Sequence, residues 1–348
     1  MTTSTATAEK TPAGLLHRYG ETLERHLEER LQAGDENLDG LWRGAQQTVR
    51  EYVMRPAKRV RPTLLTLGWL MARPQDAHVE PPAALLDFGM GLELLHAFML
   101  VHDDVADRSP MRRGGPSLHA ALGGGKLGDD LAVIAGDHLY ARAVELLLAG
   151  GVDATRYMLE VCRHTAAGQH LDLVLAHSPL PAVTLFRTLK VADLKTAQYG
   201  FVAPLACGAM LGGGSPALIE TLKRVGRHAG LAYQLRDDLL GLLGDDATTG
   251  KPGGADFIEG KRTFPVIAAW TRADAAGREE LEALWSDPKP ENLHAARALL
   301  SKWGGLRATQ KLIDARTRSA ERTLEGLGST AGAHVLRQLL SGLARRKA

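Results

Sequence analysis

Apolar residues recur at three- and four-residue steps along nearly the whole chain, and no run alternates apolar with polar residues as a half-buried strand must. Residues 15–31, 83–108 and 131–150 carry the pattern most clearly, filled with the strong helix formers Ala and Leu. This spacing predicts helices and excludes a large sheet. Short Pro- and Gly-rich stretches at 73–76, 109–117, 123–126, 178–181, 212–216 and 287–291 suit interhelical turns, and none is long enough for an interdomain linker. A chain of 348 residues could hold two average domains or one large one. The lack of a linker favours one. The expected fold is all-α, a single large helical-bundle domain over residues 13–348 behind a flexible N-terminal tail, 1–12. The ending Arg345-Arg346-Lys347 reads as a solvated basic tail or as a strap over an anionic site.

Charge narrows the choice of function. Forty-two basic and 40 acidic side chains leave a net charge of +2, too near neutral for nucleic acid as the main partner. Two cysteines, Cys162 and Cys207, cannot build a disulfide framework and suit a reducing, cytoplasmic setting. The first dozen residues lack the apolar stretch of a signal peptide, and no uninterrupted apolar run reaches the length of a membrane span.

Two acidic motifs stand out. In Asp103-Asp104-Val105-Ala106-Asp107, a helix would put Asp103 and Asp107 on one face with Asp104 flanking them. Like charges at that spacing repel unless a cation sits among them, and hard carboxylate oxygens beside phosphates suit Mg2+. A solvated acidic helix end is the plain alternative. The second motif, Gln234-Leu235-Arg236-Asp237-Asp238, closes an apolar helix, and Gly241 stands where a third acid would fall. Taken alone it reads as exposed helix charges.

Basic residues accompany both: Lys58-Arg59-Val60-Arg61, Arg112-Arg113, Lys195-Thr196, Lys251 and Lys261-Arg262. In a nearly neutral protein this combination fits a phosphate–Mg2+ site, since arginine forks grip phosphate oxygens in pairs and lysine supplies a point charge. Other chemistries fit less well. Residues 244–251 resemble a P-loop but carry two acids and Pro252 where a metal-binding hydroxyl belongs. Two Glu-x-x-His pairs, Glu93/His96 and Glu291/His294, lack the further inward glutamates of a di-iron bundle, and no zinc spacing is present.

Residues 93–119 and 233–266, with 58–62, 135–143 and 194–211 in the same order, resemble the trans-isoprenyl diphosphate synthases, the short-chain polyprenyl synthetases. The resemblance runs from about residue 55 to about 270 and implies an α-helical enzyme, usually a homodimer. It implies that an allylic diphosphate (dimethylallyl, geranyl or farnesyl) is held by Mg2+, three ions with substrate bound, and that isopentenyl diphosphate attacks the allylic cation. By motif, Asp103, Asp104, Asp107, Asp237 and Asp238 would hold metal. Arg112, Lys195, Thr196, Gln234 and Lys251, with Lys261 nearby, would hold the allylic diphosphate. Lys58, Arg61, His96 and Arg113 would hold isopentenyl diphosphate.

Two departures from the family pattern are Pro56-Ala57, in place of the usual Gly-Gly, and Gly241, in place of the last aspartate of the second motif. The second puts one outer metal contact in doubt, and restoring the acid is expected to change turnover by less than about tenfold. The resemblance makes Phe98, with Met99 beside it, the floor that limits product length, about 7.5 Å along a helix from Asp103. The expected product is geranylgeranyl diphosphate. Rival readings are a farnesyl diphosphate synthase, a non-catalytic subunit of a heteromeric synthase, and a terpene cyclase, the last having no use for Lys58, Arg61 and His96.

Overall fold

The computed structural model describes residues 12–32, 39–76, 79–244, 253–328 and 330–344. Lys251, the 345–347 ending and all of the expected tail except Pro12 lie outside them. Helices dominate. The exception is a small antiparallel ribbon, β1 (Met111–Arg112) and β2 (Gly115–Pro116), where the sequence predicts only a turn.

The chain forms two compact units. The first holds the described residues up to Tyr157 and Cys207–Ser215. It contains α1 (Pro12–Gln32), α2 (Gly40–Met54), α3 (Val60–Ala72), α4 (Ala83–Ala106), the short α5 (Leu118–Ala121) and α6 (Gly125–Leu147). Helix α4 is apolar around most of its circumference and lies buried against α6 and α3, as such a helix must. By length and mean hydropathy it could cross a bilayer, a property hidden from a search for uninterrupted apolar runs by Glu93 and His96. In the protein 67% of its most apolar stretch is buried, which marks a core helix. Helix α6 starts at Gly125 rather than 131.

The second unit comprises Met158–Ala206 and the described residues from Pro216 onward. It takes in most of α7 (Gly151–Ala176), then α8 (Leu185–Val191), a π-helical segment Ala192–Val202 and the start of α9 (Ala203–Leu211). After these come α10 (Pro216–Leu243), α11 (Ala255–Ile258), α12 (Phe264–Arg272), α13 (Ala275–Ser286), α14 (Leu293–Lys302), α15 (Gly305–Glu325) and α16 (Ala331–Ala344). Thr184 and Asp274 cap α8 and α13 by accepting backbone N–H bonds. Helix α10 packs on the π segment and on α15, and Leu235, Leu239, Phe264 and Ile313 form a core around it. Along α10 the buried positions Leu231, Leu235, Asp238 and Leu242 form one stripe, so the fold carries Asp238 into the interior.

The π segment has no signature in the hydrophobic pattern. Its backbone is closely packed on two sides. A Cβ at Gly168 of α7 would lie 2.6 Å from the Lys195 backbone nitrogen, and one at Gly230 of α10 would lie 2.6 Å from the Ala197 Cα. The segment has the wide i→i+5 turn that often accompanies functional positions.

Candidate active site

In the first unit, α4 ends in the first acidic motif. Asp103 is partly exposed, whereas Asp104 is fully enclosed and Asp107 is the residue just past the helix. Asp104 accepts hydrogen bonds from Arg112 Nε at 2.8 Å and from the Tyr52 hydroxyl at 3.1 Å, and Arg112 also lies 3.6 Å from Asp103. The three carboxylates therefore do not converge as helical spacing alone predicts: Asp104 is turned inward as the anchor of Arg112. Burial opposes the charge on Arg112. The Asp104 hydrogen bond and charge, backed by Asp103 and Tyr52, outweigh it and hold the guanidinium above its ordinary pKa. Burial, then the Asp104 charge, raises the Tyr52 phenol well above its usual range, so it stays a donor.

The ribbon explains the placement of the paired arginines. Arg112-Arg113-Gly114-Gly115 makes a two-residue hairpin with positive φ at both central residues, 52° at Arg113 and 72° at Gly114. A side chain rarely takes that conformation. Arg55 braces the hairpin by donating to the Arg112 and Pro116 carbonyls (3.1 and 2.6 Å), and a Cβ at Gly115 would meet its guanidinium at 2.9 Å.

Arg113, Arg61, Arg112 and Arg59 gather around His96 of α4. Burial first, then the charges of Arg61 and Arg113, push its imidazole well below its ordinary pKa and keep it neutral. Arg59, which the sequence left without a role, is the buried brace of this cluster. It pairs with Glu93 at 2.7 Å, reaches Glu24 at 3.4 Å and holds a left-handed backbone at the start of α3. Lys58 stands exposed on the loop just before it. Phe98, one turn before His102, is half-buried, its ring 4.7 Å from His102 and 5.1 Å from Tyr140 of α6.

The second unit assembles its own polar cleft. Thr196 donates to Gln234 at 2.5 Å, and Gln234 donates to Asp238 at 2.7 Å, so the π segment and α10 are joined by one hydrogen-bonded chain. Lys195 pairs with Asp172 of α7 at 2.7 Å. The sequence reading missed Asp172. Its signal was its spacing, since Thr165, Gly168 and Leu175 are buried on the same face of α7. Lys261 is 2.5 Å from Glu259 and 3.9 Å from Asp256, and Asp256 and Lys261 line the cleft with Lys195, Thr196, Gln234 and Asp238. Asp238 is pushed up to about 8, by burial first and then by the Asp256 charge, with Asp172 and Asp237 adding to it and the Gln234 bond opposing.

Crowded carboxylates with no soft donor among them fit a hard divalent cation. Among the described residues, no three His, Cys, Asp or Glu side chains enclose one ion-sized point. Such a cation can bind through one or two carboxylates and complete its shell with water and phosphate oxygens.

Comparison with known proteins agrees with this chemistry. Residues 44–302 match the polyprenyl synthetase family model. The short chain isoprenyl diphosphate synthase of Methanothermobacter thermautotrophicus is 29% identical over 90% of this chain and 92% of its own. The geranylgeranyl diphosphate synthase of Mycobacterium tuberculosis is 37% identical over 66% of this chain and 65% of its own. The crystal structure of geranylgeranyl pyrophosphate synthase from Corynebacterium glutamicum, complexed with isoprenyl diphosphate and magnesium, superposes with a TM-score of 0.86 at 29% identity. It covers 95% of this chain and 99% of that one. The chain belongs to the polyprenyl synthetase family and is a trans-prenyltransferase, a prenyl diphosphate synthase of the short-chain type.

Proposed function

We propose that this enzyme condenses isopentenyl diphosphate with an allylic diphosphate in the presence of Mg2+ and releases geranylgeranyl diphosphate. The observation that carries the two-substrate reading is the cluster of Arg61, Arg113 and neutral His96, a cationic group that a cyclase acting on a single diphosphate would not need. It fits the diphosphate of isopentenyl diphosphate, with Lys58 closing from the loop. Arg112, held rigid by Asp104, serves the allylic diphosphate, together with Lys195, Thr196, Gln234 and Lys261. Asp103, Asp107, Asp237 and Asp238 are the proposed metal ligands. When bound, Mg2+ neutralises the diphosphate and favours its departure. The chain's own cations take up the charge that develops as the allylic C–O bond breaks. The π bond of isopentenyl diphosphate then forms the new C–C bond, and the released diphosphate takes the proton whose loss restores the alkene.

Phe98 supports the C20 product. Its ring fills the space beside His102 and Tyr140, where a growing chain would run along α4. Incubation with labelled isopentenyl diphosphate and each allylic primer is expected to give C20 from the wild type and longer products from Phe98→Ala. A C15 product would transfer the protein to the farnesyl synthases. An unchanged distribution in the mutant would reduce Phe98 to a packing residue.

A homodimer is proposed from α6, where Leu127, Leu131 and Ile134 follow one another on one face and are 68%, 41% and 58% exposed. Ile134→Glu should shift the mass measured by light scattering from dimer to monomer. A monomeric wild type overturns the proposal. A cytoplasmic location is proposed as well, in keeping with a chain whose two cysteines are too few for a disulfide framework.

A further inference from the structure

We propose that a cleft between α10 and α15, remote from the second acidic motif on the same helix, binds a free phosphorylated anion of the size of inorganic diphosphate. The choice of diphosphate among such anions rests on the proposed condensation, which releases it.

The cleft has a volume of about 440 Å³ and is lined by Thr221, Arg224 and His228 of α10 and by Ser319, Arg322 and Thr323 of α15. These six side chains are all polar, so the cleft suits a compact anion better than a prenyl chain. His228 stands ten residues before Asp238, about 15 Å along the helix. The cleft that holds Asp238 is lined by other residues.

What sets this place apart is how its arginines are held. Two neighbouring cations of α10 are neutralised: Lys223 meets Glu220 at 2.6 Å, and Arg227 meets Asp193 at 3.0 Å. Arg224 instead donates to the Thr221 hydroxyl at 3.2 Å, and Arg322 to the Ser319 hydroxyl at 3.3 Å. A hydroxyl orients a guanidinium without cancelling its charge. Among the described residues, no carboxylate pairs with Arg224, Arg316 or Arg322. His228 registers the sum. Burial first, then the charges of Arg316, Arg227, Arg224 and Arg322, hold its imidazole below its ordinary pKa, so the charges that act on it most are all positive.

Like charges gathered in this way repel, and a bound anion relieves them. Guanidinium forks also match the paired oxygens of a phosphate group. The plain alternative is a solvated basic face, with Arg322 in the last turn of α15 answering that helix's dipole. That accounts for Arg322 alone. It gives no reason for Arg224 to meet it from the other helix across the same cleft.

The test titrates inorganic diphosphate into the full chain by calorimetry, with EDTA present to remove metal-held diphosphate from the count. Arg224→Ser/Arg322→Ser is expected to bind one diphosphate fewer per chain than the wild type and to keep wild-type turnover. Arg224→Lys/Arg322→Lys, which keeps the charge and loses the fork, should retain the site about tenfold more weakly, the cost of one charge-assisted hydrogen bond. Equal diphosphate counts in the wild type and the serine variant overturn the proposal, whether or not the enzyme condenses its substrates. A chain that binds as expected but condenses nothing supports the cleft and removes only the reason for choosing diphosphate. Sedimentation with phosphatidylglycerol vesicles is the second arm. Vesicle binding that the serine variant loses, together with equal diphosphate counts, assigns the cleft to a lipid headgroup and overturns the free anion.

Discussion

Asp104→Ala is expected to lower the unfolding free energy by about 3 kcal/mol, although Asp104 lies in the most recognisable motif of the chain. Its carboxylate is fully enclosed, with Arg112 and Tyr52 bonded to it. Removing it leaves the Arg112 guanidinium, 16% exposed, with Asp103 at 3.6 Å as its remaining counter-charge. A buried pair broken on one side costs more than the pair contributes, because the abandoned charge has lost its water as well as its partner. Urea unfolding measures the effect. A loss below about 1 kcal/mol would show that the pair is open to water, as exposed ion pairs are.

Asp103→Ala should behave in the opposite way. Its carboxylate is partly exposed and makes a looser contact with Arg112. Stability should fall less than in Asp104→Ala, by about 1 kcal/mol, the centre of the range for single substitutions. Turnover should fall at least a thousandfold, about 4 kcal/mol of transition-state stabilisation. EDTA should abolish the activity of the wild type to the same extent. Full activity in EDTA would remove the metal from the mechanism, and a stable, active Asp103→Ala would remove this residue from it. Two adjacent aspartates of one motif are thus expected to fail by different routes, one through the fold and one through the chemistry.

The contrast shows what the amino-acid pattern can and cannot carry. Helices α4 and α10 are legible because burial imposes a local period, and the acidic motifs stand at their ends. The arginine pair was legible as charge, yet its hairpin was not. Positive φ at Arg113 depends on Arg55, far away in the chain, which braces the turn. Arg59 looks like one more cation of a basic run, and only the fold brings Glu93 and Glu24 to it. Asp172 and Asp256 were missed for the same reason: each acquires its partners, Lys195 for one and the Gly241 backbone for the other, through tertiary contact. Local spacing specifies what a helix can present. It does not specify what arrives from elsewhere to meet it.

The π segment has a consequence for how its side chains can respond to substrate. Lys195 and Thr196 are neighbours on one unusually wide turn, bound to two different helices, α7 through Asp172 and α10 through Gln234. Were the segment to rewind by one residue into an ordinary α-helix, both side chains would swing away from their partners together. Neither can be repositioned alone by such a move, so the ammonium and the hydroxyl are geared to a single coordinate, the register of the backbone between two glycine-smoothed surfaces.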